Sequence, residues 1–190
     1  MDERTAAVNI PTDREIRALH AQYASTREAF EVVHDHCRIV CDLAEQVIKA
    51  NNLTVDVDLV RAGCLLHDLG VHRLDGSAYI RHGVLGHELL LDLGFPEVIA
   101  RFCSHHTGVG LTREDVTRQA LPIPVGDYLA ETVEEELVMY ADKFHSKSSP
   151  PRFVTAAAYR TAVLRFGVDK AARFDDLVTR YGEPDLPRPA

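Results

Sequence analysis

The residues of this chain that could do chemistry are histidines and aspartates set among apolar neighbours. His36 has Val32, Val33, Ile39, Val40, Leu43 and Val47 at helical spacing around it, which centres it on a buried stripe. His34 falls roughly 200° away around the same helix, beside Glu31 and Arg38, and is expected near the solvated face. The same test separates His106, in line with Val98, Ile99, Phe102 and Cys103, from His105, which shares a face with Glu97 and Arg101. His67-Asp68 closes the apolar run Ala62-Gly63-Cys64-Leu65-Leu66. Asp142 falls one turn beyond Val138 and Met139, beside Ala141 and Phe144. His82 shares a stripe with Leu85, Gly86 and Leu89, but His87 is also on a mostly apolar face, so periodicity leaves that choice open.

A single core imidazole is commonly satisfied by one hydrogen bond. Several imidazoles and carboxylates aimed into one small core are destabilising together unless they share a cation, and a metal cluster supplies it. Mixed nitrogen and oxygen donors suit iron, manganese, zinc or nickel. Cys37, Cys41, Cys64 and Cys103 form no CxxC, which argues against a structural zinc finger, and in a cytosolic chain they are expected to be reduced, small buried hydrophobes.

The elements that must position these groups read as helices. Thr12 with Glu15, Ser25 with Glu28, Thr112 with Asp115 and Thr132 with Glu135 are capping-box patterns. They predict helices near 12–23, 26–50, 113–119 and 133–147. Asp56 or Asp58 caps another that reaches His67-Asp68 and stops at Gly70. Further helices are expected over 82–93, from Pro96 to His106, and over 153–166 and 168–181, with Gly167 between the last two. No two-residue alternation persists, so the fold class is all-α, one bundle of about 8 to 9 helices. Residues 71–79, 107–111 and 122–130 read as loops, and Pro184, Pro187 and Pro189 mark a loose end.

At 190 residues the chain is long enough for one domain with a sizeable core. The expected organisation is an N-terminal helix over 1–24, a metal-binding core over 25–147, a C-terminal helical pair over 148–182 and a tail over 183–190. Hydrophobic residues at 46% and charged residues at 26% are ordinary for a globular protein rather than a disordered one. A formal charge of −8 opposes broad phosphate-backbone binding, so no general nucleic-acid partner is expected. The start, Met-Asp-Glu-Arg, lacks an apolar leader and no run is long enough to span a bilayer, which predicts a cytoplasmic protein without a membrane partner.

His36, then His67-Asp68 within Leu-Leu-His-Asp-Leu-Gly, then Asp142 within Tyr-Ala-Asp-Lys, resembles the H…HD…D pattern of HD-domain phosphohydrolases over residues 30 to 147. His82-Gly83-Val84-Leu85-Gly86 and His106-Thr107-Gly108 are similar to the two extra histidine motifs of six-ligand HD proteins, which include bacterial diadenosine tetraphosphate hydrolases. The segments His-His-Thr-Gly-Val-Gly-Leu and Tyr-Ala-Asp-Lys-Phe-His-Ser-Lys also resemble HDIG-type proteins.

That resemblance implies a ligand set of His36, His67, Asp68 and Asp142 for one metal and His82 and His106 for a second, with Asp68 bridging. The cofactors would be two divalent or redox-active metal ions, iron or manganese first, with zinc, nickel, cobalt or magnesium as alternatives. The implied reaction is attack of a metal-bridged hydroxide on a phosphoester or phosphoanhydride of a nucleotide or other small phosphorylated molecule. Asp68 and Lys143 would act in catalysis. Val71 stands where the common form His-Asp-Ile-Gly-Lys has a phosphate-contacting lysine, so His72, Arg73, Arg81 and Lys143 are the candidate substrate cations, Lys143 first. His145 and Lys147 rank below these, and His20, His34, His87 and His105 are read as structural or surface residues. Two other readings share the ligand pattern: a mixed-valent di-iron HD oxygenase and a non-catalytic nucleotide-sensing HD module.

Overall fold

The computed structural model describes residues 9–187, so the opening Met-Asp-Glu-Arg and Pro189 lie outside it. Nine α-helices lie in the described residues, and they follow the capping signals closely. Thr12 caps α1 (Asp13–Tyr23) in a complete capping box with Glu15. The next start shifts by one residue, because Thr26 rather than Ser25 accepts from the Ala29 amide at the head of α2 (Arg27–Asn51). Asp56 caps α3 (Val57–Leu66), which ends at His67 and gives way to a 3-10 turn over Leu69–Arg73. A second 3-10 turn, Tyr79–Arg81, leads directly into α4 (His82–Asp92), and α5 covers Glu97–Ser104. Thr112 and Asp115 form the second complete capping box at α6 (Arg113–Arg118). Thr132 caps α7 (Val133–Asp142), and α8 (Ala156–Val163) and α9 (Val168–Tyr181) finish the bundle.

Two departures from the sequence reading bear on function. Helix α7 stops at Asp142 instead of continuing to 147, and residues 145–146 become β1 (His145–Ser146), paired antiparallel with β2 (Arg152–Phe153). The expected helix from 153 likewise starts at Ala156. The fold is all-α apart from this small hairpin, and no described helix is long and apolar enough to cross a membrane.

Two apolar clusters hold the bundle. One gathers Val40, Leu43, Val47, Phe102, Leu137, Val138 and Tyr140 with Phe174 and Tyr181 of α9, so the C-terminal pair is fixed to the core by aromatic packing. The other joins Ile16 of α1 to Val33, Leu65, Leu66, Leu69, Leu90 and Ile99. Between them α2, α3, α4, α5 and α7 meet, and their polar residues meet there too. Gly70 makes the approach of α4 possible, since a Cβ there would sit 2.0 Å from the His82 carbonyl oxygen and 2.3 Å from the Gly86 amide nitrogen.

Candidate metal centre

Five segments of this bundle supply the six members of the site. The apolar stripe of α2 buries His36; the end of α3 delivers His67 and Asp68; α4 begins with His82; His106 follows the end of α5; Asp142 is the last residue of α7. His36, His67, Asp68, His82 and His106 are all buried, at 4% exposure or less. The structure brings all six of these side chains together as two overlapping groups. His36, His67, Asp68 and Asp142 each offer a ligand atom within 4.8 Å of the others, as do Asp68, His82 and His106.

In the first group His36 Nε2 lies 2.9 Å from Asp142 Oδ1, 3.2 Å from Asp68 Oδ2 and 3.3 Å from His67 Nε2. His67 Nδ1 donates to the Cys64 carbonyl at 2.7 Å, which turns Nε2 toward the group; burial disfavours its charge, but Asp68 and Asp142 outweigh that and hold its pKa well above the ordinary histidine value. In the second group His82 Nδ1 is held by the Tyr79 carbonyl at 2.6 Å and His106 Nδ1 by the Phe102 carbonyl at 3.1 Å. Backbone carbonyls thus fix the tautomers, as outer partners of metal-ligating imidazoles do.

The carboxylate of Asp68 joins the groups. Its Oδ1 lies 3.4 Å from His82 Nε2 and 3.7 Å from His106 Nε2, yet it is buried with no hydrogen-bond partner in the structure. A buried carboxylate oxygen left in that state is costly, and the donor set around it, nitrogen and oxygen without thiolate, is one that fits divalent metal ions. Burial disfavours its charge, but Lys147, then His67 and His36, outweigh that and hold Asp68 well below the usual carboxylate range. Asp142 is held low in the same way, against burial, by Lys143, His36 and His67. Burial keeps His82 and His106 below the ordinary histidine pKa, the neutral state that ligation requires.

The expected substrate cations are placed elsewhere or otherwise engaged. Lys143 is buried and donates to the His106 carbonyl at 2.9 Å and to Asp142 Oδ2 at 2.7 Å, so it ties two site residues together. His72 Nε2 faces His20 Nδ1 at 3.1 Å. Arg73 is exposed, with its guanidinium over the Tyr23 ring at 5.8 Å, and Arg81 is exposed at the head of α4. A second cation at the centre is Lys147, whose Nζ contacts Asp68 Oδ2. His145, from the same segment, lies with its Nδ1 2.8 Å from His36 Nδ1. The sequence ranks both below the other cations, and the Tyr-Ala-Asp-Lys-Phe-His-Ser-Lys segment is the signal that marks them.

The remaining histidines correct the face assignments. His34, expected near solvent, is buried and stacks on Phe30 at 5.0 Å, because α1 covers that side of α2. His105, also expected on a polar face, is buried against Ser104 and Tyr128. It follows the last residue of α5, where helical phase no longer applies. His87 bonds Ser104 Oγ at 2.8 Å, away from the centre. The four cysteines are free and buried.

The family model of the HD domain matches residues 33–147. The chain is 44% identical over 115 residues to an uncharacterized protein of Methanocaldococcus jannaschii, a match covering 59% of this chain and 65% of that protein. It is 35% identical over 121 residues to a tRNA (cytidine(56)-2'-O)-methyltransferase of Picrophilus torridus, covering 64% of this chain and 33% of the methyltransferase. The match thus spans just under two thirds of the first relative and about a third of the second. Among solved structures, the HD domain of the L. monocytogenes phosphodiesterase PgpH aligns with a TM-score of 0.53 at 17% identity, covering 88% of both chains. The same domain in complex with cyclic-di-AMP aligns at 0.50 and 15% identity, covering 90% of this chain and 99% of that one. These two likenesses show a shared helical fold.

Proposed function

The chain belongs to the HD-domain family, and from that premise we propose that it is a metal-dependent phosphohydrolase acting on a phosphoester or phosphoanhydride of a small phosphorylated molecule, a nucleotide first. The observation that carries this reading is the position of Asp68, with Oδ2 among His36 and His67 and the unpartnered Oδ1 toward His82 and His106. In this reading His36, His67, Asp68 and Asp142 hold one metal ion and His82 and His106, with Asp68, a second. Metal ions held there supply Lewis-acid polarisation and charge neutralisation for a phosphoryl group.

The chain's own residues supply orientation and access. Carbonyls of Cys64, Tyr79 and Phe102 fix the rings of His67, His82 and His106, so little reorganisation accompanies binding. Asp142 is the member of the set that opens outward, 16% exposed, onto a cavity of about 460 Å³ lined also by Lys143, Ser146, Arg152 and Tyr159. A cavity of that size accommodates a nucleotide-sized molecule. The nucleotide class draws further support from the cyclic-di-AMP bound by the structurally similar phosphodiesterase domain.

Elemental analysis of protein purified without added metal, followed by a screen of nucleotides and other phosphoesters with Mn, Fe, Co, Ni and Mg, tests the proposal. Hydrolysis in oxygen-18 water should label the phosphoryl product. Product formation that requires dioxygen and carries its label would overturn the hydrolase reading in favour of the oxygenase one.

A further inference from the structure

The segment after α7 does more than connect helices. By leaving the helix at Asp142 and pairing with residues 152–153, it turns back over the centre and carries Lys147 to Asp68. The ammonium is largely enclosed, its side chain 16% exposed, and it also lies 5.9 Å from the centre of the Tyr79 ring. Lys147, Tyr79, Ser146 and Ser148 line one side of a cavity of about 450 Å³, and Val32, Val33 and Val71 form its apolar wall. The cavity thus has one cation, three hydroxyl-bearing side chains and no carboxylate in its lining.

Charge decides what Lys147 is for. Within the centre two carboxylates, Asp68 and Asp142, face two ammonium groups, Lys147 and Lys143. Lys143 is distinguished by a second bond, to the His106 carbonyl, which holds it in place whatever the charge on Asp142. Divalent cations on Asp68 would neutralise the partner of Lys147 and set like charge beside it in a partly buried site, where repulsion is only weakly screened. An anion in the adjoining cavity resolves that conflict, and a phosphoryl group, with charge and acceptor oxygens together, matches a lining that carries one ammonium and three hydroxyls.

Building on the phosphohydrolase reading, we propose that Lys147, with Tyr79, Ser146 and Ser148, forms the subsite that binds a phosphoryl oxyanion of the substrate, in place of the candidates His72, Arg73, Arg81 and Lys143. The role is binding: Lys147 swings from Asp68 to the anion and stays protonated throughout.

The test uses metal-loaded wild type and the variants Lys147→Met, Lys147→Gln and Lys147→Arg, with inorganic phosphate as the probe in calorimetric titration and metal content measured per chain. Lys147→Met and Lys147→Gln should keep the wild-type metal content and bind phosphate at least tenfold more weakly, while Lys147→Arg retains most of the affinity. Unchanged phosphate affinity in both neutral variants overturns the subsite. Loss of metal in parallel with phosphate binding also overturns it, since Lys147 would then serve Asp68 rather than the substrate. Turnover of the wild type, followed separately, judges the hydrolase reading: phosphoester hydrolysis with unaltered phosphate binding in Lys147→Met sinks the subsite alone.

Discussion

His82 and His106 face each other nitrogen to nitrogen, with Nε2 atoms 3.0 Å apart while the Nδ1 of each ring is held by a backbone carbonyl. A neutral imidazole carries one proton. Spent at Nδ1, it leaves two lone pairs pointing at one another and at Asp68 Oδ1, 3.4 and 3.7 Å away. Three acceptors converging in a buried space repel one another unless a cation sits among them, which is the physical content of the metal assignment.

Replacing His106 should therefore cost metal, whereas replacing its neighbour should not. His106→Ala is expected to lower the metal content per chain, and His105→Ala to leave it unchanged, because His105 bonds the Ser104 hydroxyl at 2.7 Å and faces the Tyr128 side. Elemental analysis of both variants decides it. The reverse pattern would show that the second group is not a metal site.

On the proposed metal-binding reading, Asp68 links metal binding to stability. Ligation favours the folded state by about 2.7 kcal/mol at a metal concentration one hundred times Kd. For a chain of this length that raises Tm by roughly 5–10 °C. Scanning calorimetry of the wild type with added Mn, and again after chelation, should show that rise and its reversal, and Asp68→Ala should show neither. A metal-dependent rise of equal size in the variant would remove Asp68 from the centre.

How far these groups could be read from sequence depends on whether local or tertiary forces placed them. Periodicity alone puts His36 on the buried face of α2, and Thr12, Thr112 and Thr132 announce their helices because a cap is a local hydrogen bond, while the choice between Asp56 and Asp58 is settled only by the fold, at Asp56. The choice between His82 and His87 was not local: it rests on Gly70 and Gly86, whose close approach sets the head of α4 beside Asp68. His34 was misplaced since phase on one helix does not reveal that α1 covers the opposite flank, where His20 and Phe30 meet it. The end of α7 was hidden for the same reason. Nothing between Asp142 and Ser148 forbids a helix, and the contacts of His145 with His36 and of Lys147 with Asp68 span 109 and 79 residues.

His145 should tune metal affinity without touching the metal. Its Nδ1, 2.8 Å from His36 Nδ1, can accept the His36 proton and so keep the His36 Nε2 lone pair on the side of Asp68 and Asp142. Loss of such an outer partner weakens metal binding by roughly 10–100-fold. Chelator competition should give a shift of that size for His145→Ala and a smaller one for His145→Asn, which retains an acceptor. Equal affinity in wild type and His145→Ala would assign the contact to packing alone.

The last expectation concerns acid stability and lies outside the metal centre. His20 is fully buried on α1, where Nε2 donates to the Leu65 carbonyl at 2.7 Å and Nδ1 faces His72 Nε2 at 3.1 Å. Burial pushes its pKa down to about 4 from 6.5, against the Leu65 bond, with the nearby His72 and His34 adding to the fall. Between those two values the unfolded chain binds a proton that the folded chain refuses. The contribution of His20 is whole above pH 6.5 and is lost as pH falls through the window to about 4. One such group steepens the pH dependence of unfolding by at most about 1.4 kcal/mol per pH unit. His20→Gln keeps an amide to donate to Leu65 but cannot titrate, so its stability should fall less steeply than that of the wild type between pH 6.5 and 4. Urea unfolding of the metal-free proteins at several pH values in that range measures both slopes. Parallel slopes would mean that His20 is not the group whose protonation unlocks α1 from α3.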